Sequence, residues 1–204
     1  NIYNGLLQGE AVDVPEIQEF TSLSEKELDR INTLVQNLLK ITKLDAGSIV
    51  LEKKPEDVAE MMNNVELRFS YRAEQEQKKL VLFGEEDIFL SCDRDWILEA
   101  VDNIVKNAMD HTKSGDTIEI KWRKSASIVQ IQIKDNGSGI HPEDLHHIFK
   151  RFYRSRFSKD QQGIGLGLPL AKMIIEAHNG TIEVNSELGK GTMFTISFLI
   201  PIKL

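Results

Sequence analysis

Apolar positions along the chain follow two different rhythms. Leu28, Ile31, Val35 and Leu38 recur at three- and four-residue steps, with Leu34, Leu39 and Ile41 widening the stripe. That spacing predicts an amphipathic helix. Ser24 with Glu27 reads as the capping box that opens it, and Gly47 as the residue just past its end. Ile2, Leu6 and Leu7 mark a shorter helical piece upstream, and Pro15 punctuates the connection. So broad a stripe wants a partner helix or a second chain; the plainer alternative is a helix packed on its own domain.

From residue 48 the pattern is mixed. Residues 50–53 read as a short strand and 55–75 as a helix carrying Val58, Met61, Met62, Val65, Phe69 and Tyr71. Strands are expected at 79–83 and 87–92, and a helix from Asp93 to about Thr112. Residues 117–123 and 127–134 alternate with period two, as a hairpin does. A helix over 169–178 ends at Asn179-Gly180, and strands at 181–184 and 192–199 close the chain. The sum predicts an α+β fold: a mixed sheet covered on one face by helices, preceded by a helical segment. The expected division is 1–47 and 48–204.

Composition narrows the possibilities. With 204 residues and 41% hydrophobic content the chain can bury one full domain plus a small second piece. A net charge of −7 argues against a nucleic-acid partner held through phosphates. Cys92 is the only cysteine, so no internal disulfide forms, which fits a reducing compartment. No run approaches the ~18 apolar residues of a membrane span, and no signal peptide opens the chain. The start at Asn1 rather than Met reads as a cut fragment, which leaves room for a membrane segment upstream.

Four stretches carry candidate chemistry. On the helix from Asp93, residues Glu99, Asn103, Asn107 and Asp110 recur on one face, away from Ile97, Val101, Ile104, Val105 and Ala108. The alternatives are a solvated face or a ligand face. Mid-helix asparagines are poor helix formers, and their neutral carbonyl oxygens suit a hard cation such as Mg²⁺ shared with phosphates. Next, "KDNGSGI" from Lys134 to Ile140 is either an ordinary turn or a carboxylate, Asp135, that accepts from an exocyclic amine beside Gly137 and Gly139. Lys150, Arg151, Arg154, Arg156 and Lys159 then form a positive island against one acid, Asp160, either solvated or meeting phosphates. Phe149, Phe152 and Phe157 could clip that stretch to the body.

Last, "GIGLGLPLAK" follows. It has no Gly-Lys-Ser/Thr, and it is not the dinucleotide fingerprint after a strand. Three glycines at the mouth of a helix leave free N–H groups accessible, which makes an anion cradle.

In this order the motifs resemble the catalytic, ATP-binding domain of sensor histidine kinases, within the superfamily that includes gyrase, Hsp90 and MutL. "EAVDNIVKNAMDHT" is similar to the family's N box, "DNGSGI" to G1, "IFKRFYR" to the F box, "GIGLGLPLAK" to G2 and "GKGTMF" to G3. The resemblance covers about 48–202 and implies a two-layer α/β sandwich of the Bergerat ATP-binding kind after a helical hairpin segment. It implies that Glu99, Asn103 and Asn107 are catalytic, with Asn107 ligating Mg²⁺, and that Asp135 holds the adenine amine. Gly137 and Gly139 would shape the adenine pocket, and His111 would stack on the base. Gly163, Gly165 and Gly167, with Leu168, would form the ATP lid over the phosphates; Thr192 would line the pocket and Arg154 would touch phosphate. Asp110 departs from the family, which often has a basic residue there.

The family also expects a phosphoacceptor His followed by an acid, a basic residue and Pro. None of His111, His141, His146, His147 and His178 has that context, so the acceptor is expected about two helical turns before Asn1. The implied protein is the cytoplasmic part of a membrane-bound bacterial sensor, dimeric through its hairpin, passing its phosphoryl group to an aspartate of a response regulator. Two rivals are a serine kinase of the anti-sigma type and a non-catalytic dimerization and nucleotide-sensing module. The first is not expected to carry the heptad helix before Gly47; the second would bind nucleotide without transferring phosphate.

Overall fold

The computed structural model describes residues 15–155 and 163–200. Ile2, Leu6, Leu7, Arg156, Phe157, Lys159 and Asp160 lie outside the described residues. The chain divides into two compact units, one up to Thr42 and one from Lys43 onward.

The first unit is built on helix α1, Pro15–Asp45, 31 residues long. One expectation is corrected here: Ser24 and Glu27 lie inside this helix rather than at its start. Pro15 is its first residue, and the connection expected before it lies outside the described residues. A proline is well tolerated in a first turn, where its missing N–H has no intrahelical partner to lose. The stripe Leu28, Ile31, Val35 and Leu38 is 43–49% exposed. The expected stop is observed: Gly47 has φ of +59°, its N–H donates to the Leu44 carbonyl (3.0 Å), and Ser48 N–H donates to that of Lys43 (3.1 Å).

The second unit runs β1 (Lys54–Asp57), α2 (Val58–Gln75), β2 (Lys79–Gly84), β3 (Phe89–Cys92), α3 (Arg94–Asp110), β4 (Thr117–Lys124), β5 (Ile128–Asp135), α4 (Pro142–Leu145), α5 (Gly167–Ala177), β6 (Gly180–Glu187) and β7 (Gly191–Leu199). Five strands form one mixed sheet in the order β2-β4-β5-β7-β6, parallel only between β2 and β4. β1 and β3 form a separate antiparallel ribbon, with Lys54 opposite Cys92.

Period-two alternation sets the faces. Ile118, Ile120 and Trp122 on β4, Val129, Ile131 and Ile133 on β5, and Phe194, Ile196 and Phe198 on β7 are all buried. Their neighbours Glu119, Gln130, Gln132, Thr195 and Ser197 are only partly covered. The buried face is closed by Met61, Met62 and Val65 of α2, Ile97, Val101, Ile104 and Val105 of α3, and Leu170, Ile174 and Ile175 of α5. Each such side chain contributes on the order of 2 kcal/mol by leaving water.

Two further boundaries differ from the expected ones. No strand spans 50–53; the strand is β1, which contains Pro55, so α2 begins only at Val58. The cause is a local cap: the Asp57 carboxylate accepts from Glu60 N–H (3.1 Å), which fixes the first turn there. The strand expected from Asp87 begins at Phe89, because Asp87 has φ of +59°.

Helices α3 and α5 pack antiparallel. At one end Asn103 faces Gly167, and at the other His178 reaches the start of α3. The His178 Nε2 accepts from Asp93 N–H (3.1 Å), so Nδ1 carries the proton and donates to the Ile174 carbonyl (2.8 Å). Burial lowers its pKa below 6.5. The folded protein therefore resists a proton that the unfolded chain accepts, and stability is lost as pH falls through and below 6.5. Asp102 opposes this: burial raises it from 3.8 to about 6, so its contribution is lost as pH rises through that range. The effect of His178 is thus read as a difference. In urea unfolding, the stability gap between the parent and His178→Gln should shrink from pH 7.5 to 5.5; an unchanged gap refutes the assignment.

Candidate nucleotide site

Four element ends converge at one end of the sheet: the last turns of α3, the end of β5, the start of β7 and the start of α5. Asp135 ends β5 and is 4% exposed. Its Oδ1 accepts two backbone N–H groups, from Gly137 (2.9 Å) and from Thr192 (3.2 Å). Burial raises its pKa, opposed by those two donors and by His111 nearby. The loop after it is held from both sides. Ser138 N–H donates to the His111 carbonyl (3.2 Å), and Ile140 N–H donates to Ser186 Oγ (2.8 Å). Ser186 in turn donates to the Gly191 carbonyl (2.9 Å).

Two glycines are required by close approach here. A Cβ at Gly137 would stand 2.3 Å from the His111 carbonyl oxygen. One at Gly191, whose φ is +105°, would stand 2.0 Å from the Asp135 carbonyl oxygen. Gly139 is also left-handed (φ +68°) and lies against Glu187. The structure thus brings His111, Asp135, Gly137, Gly139 and Thr192 into one corner.

The second group lies along α3 and at the mouth of α5. Asn103 Nδ2 donates to the Glu99 carbonyl (2.9 Å), which turns its Oδ1 toward Gly167, where a Cβ would approach to 2.8 Å. Asn107 is one turn further toward the Asp135 corner, half-buried, with no hydrogen-bond partner for its side chain among the described residues. Glu99 and Leu168 flank this group, both half-buried. Gly165 (φ +74°) lies on the turn before it, its carbonyl accepting from Phe152 N–H (2.9 Å). Gly163 is exposed, with open space where a side chain would go. Arg154 is exposed at the root of the same turn.

Asp110 leaves this face. Its Oδ1 accepts from Arg72 Nη2 of α2 (2.7 Å), and Arg72 also holds Glu76 (2.6 Å). Lys78 completes the cluster on Glu76 (2.5 Å) and on the Met109 carbonyl (2.6 Å). The departure at position 110 is a structural tie between α2 and α3, directed away from the ligand face. A depression of about 300 Å³ at this end of the sheet is walled by Lys134, Asn185, Glu187, Lys190 and Met193 and also by Asp135 and Thr192 of the corner described above. Asn103, Asn107 and the glycines before α5 do not line it.

Three residues escaped the sequence reading: Asp144, Tyr153 and Ser155. Asp144 is 3% exposed and accepts from Tyr153 Oη (2.5 Å) and from Ser155 Oγ. Its setting, Pro142-Glu143-Asp144, reads in sequence as an ordinary acidic first turn. Of the aromatic clip, Phe149 packs edge-on against Phe194, with centroids 6.4 Å apart, while Phe152 is exposed.

Comparison with known proteins agrees with this geometry. Residues 92–202 match the model of the histidine kinase-, DNA gyrase B- and HSP90-like ATPase family. The chain belongs to that family, so the nucleotide the domain binds is ATP. It is 34% identical over 198 residues to the sensor protein SrrB of Staphylococcus aureus, covering 96% of this chain and 34% of that protein. The chain thus spans about a third of the length of such relatives. The Acinetobacter baumannii histidine kinase AdeS superposes with a TM-score of 0.73 at 25% identity, over 97% of this chain and 93% of its own. ThkA, solved in complex with the response regulator protein TrrA, superposes with a TM-score of 0.76 at 22% identity, over 99% of this chain and 57% of that one. Together these support the expected α+β sandwich and the resemblance to sensor kinases.

Proposed function

We propose that this chain is the ATP-binding part of a protein histidine kinase. It holds Mg–ATP and delivers the γ-phosphoryl group to a histidine that is not among the five in this sequence. The observation that carries the reading is the pairing of the α3 asparagines with the glycine-lined mouth of α5, at the same sheet end as the buried Asp135.

Asp135 spends Oδ1 on two backbone donors, which leaves Oδ2 to accept the adenine amine. Gly137 and Gly139 let the ring approach backbone, with His111 stacking on it and Thr192 closing the edge. The amide oxygen of Asn107 is suited to a hard cation. Among the described residues no cluster of three or more acidic, histidine or cysteine groups forms a cage. One amide oxygen fits a Mg²⁺ whose other ligands are phosphate oxygens and water. Asn103 and Glu99 fix the asparagine face. The first-turn N–H groups of α5, reached past Gly163, Gly165 and Gly167 beside Leu168, receive phosphate together with Arg154. Bound metal would neutralise phosphate charge; these residues hold the γ-phosphorus in line with its acceptor.

The half-exposed stripe on α1 supports a homodimer through the helical segment. The likeness to a kinase solved with its regulator supports onward transfer to a response-regulator aspartate. Among the described residues no helix is long and apolar enough to cross a membrane. Attachment of this cytoplasmic part to a membrane would rest on other segments of the protein.

The test supplies a peptide or chain bearing the acceptor histidine with γ-labelled ATP and Mg²⁺. Acid-labile label on that histidine is expected. Tight nucleotide binding without transfer would instead establish a nucleotide-sensing module.

A further inference from the structure

Asp144 belongs to neither the asparagine face nor the adenine corner, yet it is a nearly fully buried carboxylate. It sits on α4, which follows the Gly137–Gly139 loop, with His141 Nδ1 accepting from Glu143 N–H at the start of that turn (3.3 Å). The Asp144 carboxylate crosses to the turn that leads toward Arg154. One oxygen accepts Tyr153 Oη (2.5 Å) and the other Ser155 Oγ. His147 packs its ring against Tyr153, with centroids 5.3 Å apart, which holds the phenol from its other side.

Residues 153 and 155 are tethered on the inside, and Arg154 between them is exposed. Residue 154 is thus held between two anchored neighbours, and fixing 153 and 155 restricts the direction in which 154 leaves the chain. The same turn also seats Gly165. Phe152 N–H donates to the Gly165 carbonyl (2.9 Å), and a Cβ at 165 would stand 2.6 Å from the Tyr153 carbonyl oxygen. Gly165 in turn leads to Gly167 and the first turn of α5. One buried carboxylate thus anchors both the arginine and the glycine turn.

We infer that Asp144 is a positioning residue for the phosphate end of the nucleotide site. Through Tyr153 and Ser155 it sets the direction of Arg154 and the seat of Gly165, and it takes no part in binding the adenine end. This rests on the nucleotide site proposed above.

The two claims separate experimentally. Calorimetric titrations with adenosine, and with the Mg²⁺ complex of a non-hydrolysable ATP analogue, are run on the parent, Asp144→Ala, Arg154→Ala, the double variant and Tyr153→Phe. Failure of the parent to bind the analogue refutes the nucleotide site itself. If the parent binds, Asp144→Ala should lose about tenfold for the analogue, one charge-assisted hydrogen bond's worth, and stay within about twofold for adenosine. Arg154→Ala should cost little more in the Asp144→Ala background than Asp144→Ala alone, because the arginine is already misdirected. Tyr153→Phe, which removes one tether and preserves the ring, should reproduce part of the analogue loss. Equal losses for adenosine and analogue mean a general structural role, and additive losses for residues 144 and 154 mean no coupling; either overturns the inference. If Asp144→Ala unfolds, Tyr153→Phe and Ser155→Ala, singly and together, decide the same question.

Discussion

Asn107→Ala is expected to abolish the benefit of Mg²⁺ to nucleotide binding and to lower phosphoryl transfer roughly a hundredfold. The estimate follows from the several kcal/mol that a metal contributes to charge neutralisation, at tenfold per 1.36 kcal/mol. The fold should survive. Asn107 is half-buried and its side chain has no hydrogen-bond partner among the described residues, so no packing or polar network is broken. The reading is a titration of the ATP analogue with and without Mg²⁺, beside thermal unfolding. Nucleotide alone should bind parent and variant alike, while only the parent should tighten when Mg²⁺ is added. A variant that responds to Mg²⁺ as the parent does removes Asn107 from the metal site.

Gly191→Ala should be severely damaging, because the added methyl group meets backbone rather than a side chain. The new Cβ would stand 2.0 Å from the Asp135 carbonyl oxygen and 2.7 Å from Asn136 Cα, both backbone atoms that no rotamer change can move aside. Relief requires β7 to separate from the end of β5. That breaks the Thr192 N–H bond to Asp135 and releases the carboxylate assigned to adenine. A loss of about 3 kcal/mol is expected, or roughly 6–12 °C in Tm for a domain of this size, together with loss of nucleotide binding. Gly189→Ala is the control. Its φ is also left-handed (+79°), but nothing lies within 4 Å of the added Cβ, so it should cost only about 1 kcal/mol of backbone strain. Equal losses at 189 and 191 would show that dihedral strain alone, rather than the approach to Asp135, makes Gly191 necessary.

The legibility of each part of the sequence followed the range of the forces involved. Helix α3 and the β4–β5 hairpin were visible because a single buried face imposes its period on consecutive residues. The mid-helix asparagines Asn103 and Asn107 stand out by residue type, being poor helix formers, whereas Asp135 before Asn136-Gly137 reads equally well as an ordinary turn. The start of α2 was less visible, because Asp57 as a cap and Pro55 as a strand residue compete within three positions. Ser24 misled because its capping-box pattern with Glu27 is a short signal inside a 31-residue helix. The tie of Arg72 to Asp110 and the reach of Asp144 to Tyr153 and Ser155 were invisible. Both join different elements, and no periodic pattern records a contact across 38 residues or between a helix and a following turn.

Cys92 faces the interior of β3, 1% exposed, with its thiol pushed up to about 12, chiefly by burial. At neutral pH it is a protonated, sealed sulfur and a poor nucleophile. Since it is the chain's sole cysteine, a second one introduced at a surface position would react alone with a maleimide dye. The unmodified protein is therefore already a clean background for fluorescence reporters of nucleotide occupancy.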